Sequence, residues 1–355
     1  MANCTTSDTS SDTDSETDTL DGSYSSDESN VDNIINISNS LKDSGNKSKV
    51  LHVIAVISNI CEYEIRWKLC KEFLERLAKE SEESVTMGLH RNICVVELAY
   101  GDQEYHITDT SNKNHLQLRV DVPMWHKENL INIAIEKLLP KDWEYVAWLD
   151  TDIEFMNRNW VEDTLNILSN GTSIVQLFKE AHMYNADGTY MSMSSALSIF
   201  NSPHSSHSSH SIDTIDKVEV GHPGLAWACT HKFYDAIGGL MDKCILGSAD
   251  SKMVNALVER YITDTINPYD DYIYEKSLKF AGYKHGFVNG TVKHYYHGDV
   301  KNRQYEDRQM ILYRYKYDPT TYVTYNNDGL LVPTDEFPYG MIEAIVDYFF
   351  SRKED

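Results

Sequence analysis

No run of about 18 to 20 consecutive apolar residues occurs in the 355-residue sequence, which excludes a hydrophobic membrane-spanning helix. The first residues lack the basic-then-apolar order of a secretory leader, so the expectation is a cytoplasmic protein. Positive charge is scarce: 32 Lys and Arg face 55 Asp and Glu, for a formal net charge of -23. Such a balance argues against nucleic acid or an anionic membrane as the main partner, because phosphates are repelled on approach. An anionic substrate therefore requires a locally basic pocket. The six cysteines (Cys4, Cys61, Cys70, Cys94, Cys229 and Cys244) form no CxxC pair. They read as reduced, partly buried thiols, not as a disulfide frame or a zinc site.

Apolar side chains are also scarce in residues 1–48, where Ser, Thr, Asp, Glu and Asn dominate, as in SDTSSDTDSETDTLDGSYSSDESN. Too little apolar surface is available there to offset the entropy of folding, so a disordered acidic tail is expected. Order is expected to begin at VLHVIAVISN, residues 50–59, whose β-branched apolar run suits a buried parallel strand. Ile65, Leu69, Phe73, Leu74 and Leu77 follow at helical spacing. Residues 92–100 (NICVVELAY) predict a second strand, 125–140 a helix stopped by Pro140, and 143–150 (WEYVAWLD) a further strand. This alternation predicts an α/β fold with a doubly wound sheet and ligands at the strands' carboxyl ends. Ser58, Asn59 and Glu97 are then the candidates for holding a nucleotide. Residues 185–214 read as a long polar loop. Its His204, His207 and His210 sit in a Ser-rich run whose ordering would oppose metal binding. Near the end, Ile342, Ile345, Val346 and Phe349 share one face of a terminal helix.

The most informative chemistry is VAWLDTDIEF, residues 146–155, where an apolar strand delivers Asp150 and Asp152 with one residue between them. In an extended chain both would point the same way. Two adjacent carboxylates repel unless a cation such as Mn2+ or Mg2+ lies between them and a phosphate. Taken alone, the pair fits a metal site and a solvated strand end equally well.

In its wider setting, residues 50–315 resemble the GT-A glycosyltransferases, including family 2-like enzymes and, more distantly, the β-1,4-galactosyltransferase family. The resemblance rests on three further segments. WHKENLIN places Lys127 and Asn132 at the spacing of an Arg and an Asn that precede the metal strand in that family, with Lys replacing the bidentate Arg. GHPGLAWACTHKFYDAIGGLMDKCILGSADSKM (221–253) is similar to the acceptor-side segment, and Asp250 falls where those enzymes keep a catalytic base. From its residues alone, Asp250 reads equally as a helix cap. VKHYYHGDVKNRQYEDRQ (292–309) is similar to the segment whose His completes the metal shell; His297 is the match and His294 its competitor. Lys301 and Arg303 make that segment basic enough to clamp a diphosphate.

The resemblance implies a single catalytic GT-A domain over 49–315, with a mixed sheet flanked by helices, and a C-terminal extension over 316–355. It implies Asp150, Asp152 and His297 as ligands of Mn2+ or Mg2+. Ser58, Asn59, Glu97, Lys127, Asn132, Asp150, Lys301 and Arg303 are the implied donor contacts, and Asp250 the base. The implied activity is inverting transfer of a sugar from a nucleotide diphosphate, UDP first among them, to a hydroxyl of a glycan or glycoprotein. Two rivals share the fold: an inactive nucleotide-sugar-binding module, and a nucleotide-sugar pyrophosphorylase. The second should carry a Gly-rich, Arg- or Lys-bearing phosphate loop after the first strand, and none is found.

Overall fold

The computed structural model describes residues 49–85, 90–201, 221–261 and 264–355. The expectations for the 1–48 tail, for Cys4 and for His204, His207 and His210 lie outside the described residues. The apolar segments form β1 (Val50–Ser58), α1 (Glu64–Val85), β2 (His90–Tyr100), β3 (His115–Val120), α2 (Lys127–Leu138) and β4 (Tyr145–Leu149). After these come β5 (Ile153–Phe155), α3 (Trp160–Ser169), β6 (Ile174–Gln176), β7 (Glu180–Tyr184), β8 (Tyr190–Ser194) and α4 (Ala196–Phe200). The second half supplies β9 (Ala226–Thr230), α5 (His231–Ile237), α6 (Ala249–Leu257), α7 (Pro268–Leu278), β10 (His285–Phe287) and β11 (Thr291–His294). A 3-10 turn at Val300–Arg303, α8 (Asp307–Arg314), β12 (Val323–Tyr325), β13 (Leu331–Pro333) and α9 (Tyr339–Ser351) complete it.

Seven strands form one mixed sheet in the order β10-β6-β9-β4-β1-β2-β3. β1 runs parallel to β2 and β4, while β9 lies antiparallel between β4 and β6. Strand alternation divides the core into two layers. Ile54, Val146, Trp148 and Trp227 face α2, α5 and α6, whereas Leu51, Val53, Ala147 and Ala228 face Phe73 and Leu77 of α1 and Trp160 and Leu165 of α3. Each large apolar side chain so buried contributes roughly 1.5–3 kcal/mol, and helices on both faces give the α/β class that was expected.

Two local readings change. The 185–214 segment is not all loop, because β8 pairs with β7 and α4 follows, with Ser195 Oγ accepting the Ser198 N–H as its cap. In α9 the buried face is Met341, Ile345, Tyr348 and Phe349, with Ile342 only partly covered. The five described cysteines are free, and all but Cys61 are buried.

Strand order decides where a ligand can go. From β1 the chain moves outward through β2 and β3, then returns to place β4 on the other side of β1. The crevice beyond the carboxyl ends of β1 and β4 is therefore the switch point of the sheet.

Candidate metal and anion site

At that switch point lies a cleft lined by Ser58 and Asn59 from the end of β1, by Asp150, Thr151 and Asp152 after β4, and by Lys127 at the start of α2. Its volume is about 130 Å3, smaller than the roughly 300–1,000 Å3 of a typical ligand pocket.

Asp150 and Asp152 do not share one face of an extended strand. β4 ends at Leu149 and the pair forms a turn, held by the Asp150 N–H to Leu225 O (2.7 Å) and the Tyr295 N–H to Asp152 O (2.8 Å). The turn separates their roles. Asp150 Oδ1 pairs with Lys127 Nζ, and this expected metal ligand lies outside the three-residue cluster that holds Asp152. Burial raises the Asp150 carboxyl; Lys127 opposes the rise and the neighbouring Asp152 adds to it.

Asp152 points to β11 and the loop after it. Among the described residues, Asp152, His294 and His297 bring three ligand atoms within 4.8 Å of one another. His297 and its competitor His294 thus belong to one cluster. Burial opposes ionisation of Asp152, yet His294, His297 and Arg303 outweigh it and hold its carboxyl well below the usual range. Burial, which outweighs the pull of Asp152, pushes His294 down to about 3, so it is neutral near pH 7, the form that binds metals.

His294 turns Nε2 toward Asp152 Oδ2 at 3.8 Å. Asp152 Oδ1 and His294 Nδ1 are buried without hydrogen-bond partners, although buried polar groups are normally satisfied. His297 Nδ1 lies 3.2 Å from Glu354 Oε2, and its Nε2 lies 2.8 Å from Arg303 Nη2. A carboxylate only accepts, so Nδ1 carries a proton toward Glu354, while Nε2 stands between the Arg303 donor and the Asp152 Oδ2 acceptor. Nε2 faces Asp152 Oδ2 at 2.9 Å, a gap that either a proton on Nε2 or a cation bridges. One carboxylate with two imidazoles, their ligand atoms within 4.8 Å of one another, suits a first-row transition metal better than Mg2+.

Around this cluster the cleft is lined by four cationic side chains and by the carboxylates of Asp150, Asp152 and Glu354, with Lys127 paired to Asp150 and both Arg66 and Arg352 paired to Glu354. Arg66 from α1, Arg303 and Arg352 all line it. Of the expected donor contacts, Ser58, Asn59, Lys127, Asp150 and Arg303 lie here. Three do not. Glu97 is buried and its two oxygens accept the N–H groups of His106, Ile107 and Thr108, so it organises a loop. Asn132 is five residues beyond Lys127, on another side of α2, where its amide accepts from Leu240 N–H and Tyr234 Oη–H. Lys301 stands 79% exposed and pairs with Asp299 at 2.9 Å.

Asp250 lies in the first turn of α6, whose N-cap is Ser248, so it is not the capping residue. Its Oδ1 accepts the Ser251 N–H at 2.7 Å. Oδ2 crosses Gly224 so closely that a β-carbon there would stand 2.5 Å from it and 3.4 Å from His222 Cε1. Glycine at 224 is therefore what admits the carboxylate, and Asp250 and His222 flank it together. His222, which the sequence reading passed over, accepts the Gly224 N–H on Nδ1 at 3.2 Å and so presents an Nε2–H. Burial pushes it down to about 4, against the pull of Asp250.

Glu128, also passed over, shares a small cavity with Lys127, Gly224 and Asp250 and accepts the Trp125 Nε1–H at 3.1 Å. Burial pushes its carboxyl up to about 7; Lys127 opposes this and Asp250 adds to it. A raised folded value means that the stabilising contribution is complete below the unfolded value of 4.5 and is lost as pH rises through about 7. Glu128→Gln keeps an acceptor for the indole and cannot ionise. Its melting temperature relative to wild type should therefore climb between pH 5 and pH 8, read by thermal melting in EDTA; a constant difference would show that Glu128 does not titrate in this range.

No family model matches the sequence and no curated protein matches it. Among solved structures, the chain is similar to the catalytic domain of Drosophila β1,4-galactosyltransferase 7 in complex with xylobiose, at 10% identity over 81% of this chain and 95% of that one, with a TM-score of 0.39. A mutant of the same enzyme, in complex with manganese, UDP-Gal and xylobiose, gives the same figures. The 4-diphosphocytidyl-2C-methyl-D-erythritol synthase of Anaerococcus prevotii is similar at 13% identity over 69% of this chain and 90% of that one, with a TM-score of 0.32. Likenesses this distant transfer no residue role and no substrate to this chain.

Proposed function

We propose that this chain is a metal-dependent glycosyltransferase that moves a sugar from a nucleotide diphosphate, UDP first among the candidates, to a hydroxyl of a glycan or glycoprotein. The observation that carries the reading is one juxtaposition: at the switch point of the sheet, the Asp152, His294 and His297 cluster stands beside three arginines. Asp152, His294 and His297 would hold Mn2+, which when bound would neutralise charge on the departing diphosphate. Arg66, Arg303 and Arg352 supply planar donors suited to phosphate oxygens. On the other side of Lys127, Asp250 Oδ2 is the acceptor for the proton of the attacking hydroxyl. As the new bond to the anomeric carbon forms, the bond to the diphosphate breaks and its electron pair leaves with the phosphate oxygen. The His222 Nε2–H is a neutral donor beside Asp250, fit to hold an acceptor oxygen. Attack from the side of Asp250 makes the reaction inverting.

The same donor set also serves non-haem Fe2+, but arginines around it favour an anionic ligand. Calorimetric titration with UDP, with and without Mn2+, is the direct test. Metal should tighten UDP binding at least about tenfold, because each charge compensates the other. Equal affinities would remove the diphosphate reading. Metal-dependent UDP binding with no transfer or hydrolysis across a panel of UDP-, GDP- and TDP-sugars would identify an inactive binding module.

A further inference from the structure

Residues 349–355 close one wall of the cleft. Lys353 N–H donates to Tyr63 Oη (3.1 Å), and the Asp355 carboxylate accepts the N–H groups of Glu64 (2.9 Å) and Ile65 (3.0 Å) in the first turn of α1. The segment passes so near Gly298, at φ +97°, that a β-carbon there would lie 3.1 Å from the Glu354 Cα. It carries Glu354 inward to 5% exposure. Arg66 grips both carboxylate oxygens, with Nη2 3.0 Å from Oε1, and Arg352 pairs with Oε1. Oε2 also meets His297 Nδ1 at 3.2 Å.

We infer that Glu354 is a positioning residue for the metal centre: it accepts a hydrogen bond from His297 Nδ1–H and so leaves Nε2 as the nitrogen that faces Asp152 and His294. An imidazole offers one lone pair, and which nitrogen carries it is set by what the other nitrogen meets. Were Nδ1 bare, Nε2 would hold the proton and could not ligate. Glu354 removes that choice, because a carboxylate clamped by two arginines is a fixed acceptor. Its charge also strengthens the imidazole as a donor. The inference rests on the metal reading above.

Two measurements test it on the full chain. The first needs no variant of Glu354: nitrogen-15 NMR of the histidine rings, with His297 assigned by its loss in His297→Ala, should show the Nδ1–H tautomer without metal. An Nε2–H tautomer overturns the inference. The second titrates MnCl2 by calorimetry into wild type, His297→Ala, Glu354→Ala and Glu354→Gln, with melting in EDTA to confirm folding. Glu354→Ala should weaken Mn2+ binding about 10- to 100-fold, the usual penalty for losing such a partner. Glu354→Gln, whose amide oxygen still accepts the Nδ1–H, should recover much of the loss. Unchanged affinity in His297→Ala would remove the metal reading itself. Loss in His297→Ala with wild-type affinity in Glu354→Ala would leave the metal and overturn the positioning role. Wild-type Mn2+ affinity with tighter UDP binding in Glu354→Ala would likewise overturn it, showing instead a carboxylate that occupies the phosphate site.

Discussion

Asp152→Asn is expected to abolish divalent-metal binding and, with it, the metal-dependent part of nucleotide binding. Asp152 is the only carboxylate of the three-ligand cluster, and its Oδ2 faces both His297 Nε2 at 2.9 Å and His294 Nε2 at 3.8 Å. An amide of the same shape is neutral and can turn an NH2 toward those imidazoles, replacing attraction for a cation with repulsion. Loss of a partner outside the ligand shell costs about 10- to 100-fold in affinity, so loss of the ligand itself should exceed about a hundredfold. Asp150→Asn is the matched control. No oxygen of Asp150 belongs to the cluster, so most Mn2+ affinity should remain, while Lys127 loses its partner and UDP binding changes through that side chain. Calorimetry with MnCl2, then with UDP at saturating metal, separates the two. If both variants lost metal equally, the aspartates would act as the pair that the sequence suggests, and the assignment to Asp152 would fall.

That contrast marks how far the site was legible in the sequence. β1, β2, β4 and α2 could be read because both faces of the sheet are covered, which imposes continuous apolar runs and regular helical spacing. Asp152 and His297 could be read because each sits beside such an element, at the end of β4 and just after β11. An extended chain would turn Asp150 and Asp152 the same way, but the strand stops one residue earlier, and Asp150 pairs with Lys127 while Asp152 joins the histidines. Glu97 and Asn132 look like ligand contacts in sequence because polar residues near strand ends and helix starts often are. What they satisfy is local: N–H groups nine to eleven residues on for Glu97, and a loop 108 residues away for Asn132. Arg66 and Glu354, separated by 288 positions, meet only because the residues after α9 dock on the first turn of α1. No spacing rule connects them, and for the same reason the sequence could not tell that the cleft would be ringed by arginines.

Asp250→Asn should abolish transfer while leaving metal-dependent donor binding intact. The amide retains the shape beside Gly224, where space for Oδ2 exists only because residue 224 has no side chain, and its oxygen can still accept the Ser251 N–H. What it loses is the ability to take a proton. General-base assistance is worth about a hundred- to ten-thousand-fold in rate, so the loss should appear in turnover with the UDP affinity essentially unmoved. Glu128 supplies the complication and the control. It shares the cavity with Asp250, and the charge of Asp250 is one cause of its raised carboxyl. Removing that charge lowers the carboxyl and frees a second base near pH 7. Residual turnover in Asp250→Asn should therefore rise with pH as Glu128 ionises, and Asp250→Asn combined with Glu128→Gln should flatten that rise. Turnover near the wild-type rate in the double variant, measured as donor hydrolysis or as transfer to an identified acceptor, would show that neither carboxylate takes the proton. The reaction would then have to proceed without an enzymic base, and the inverting assignment would fall with it.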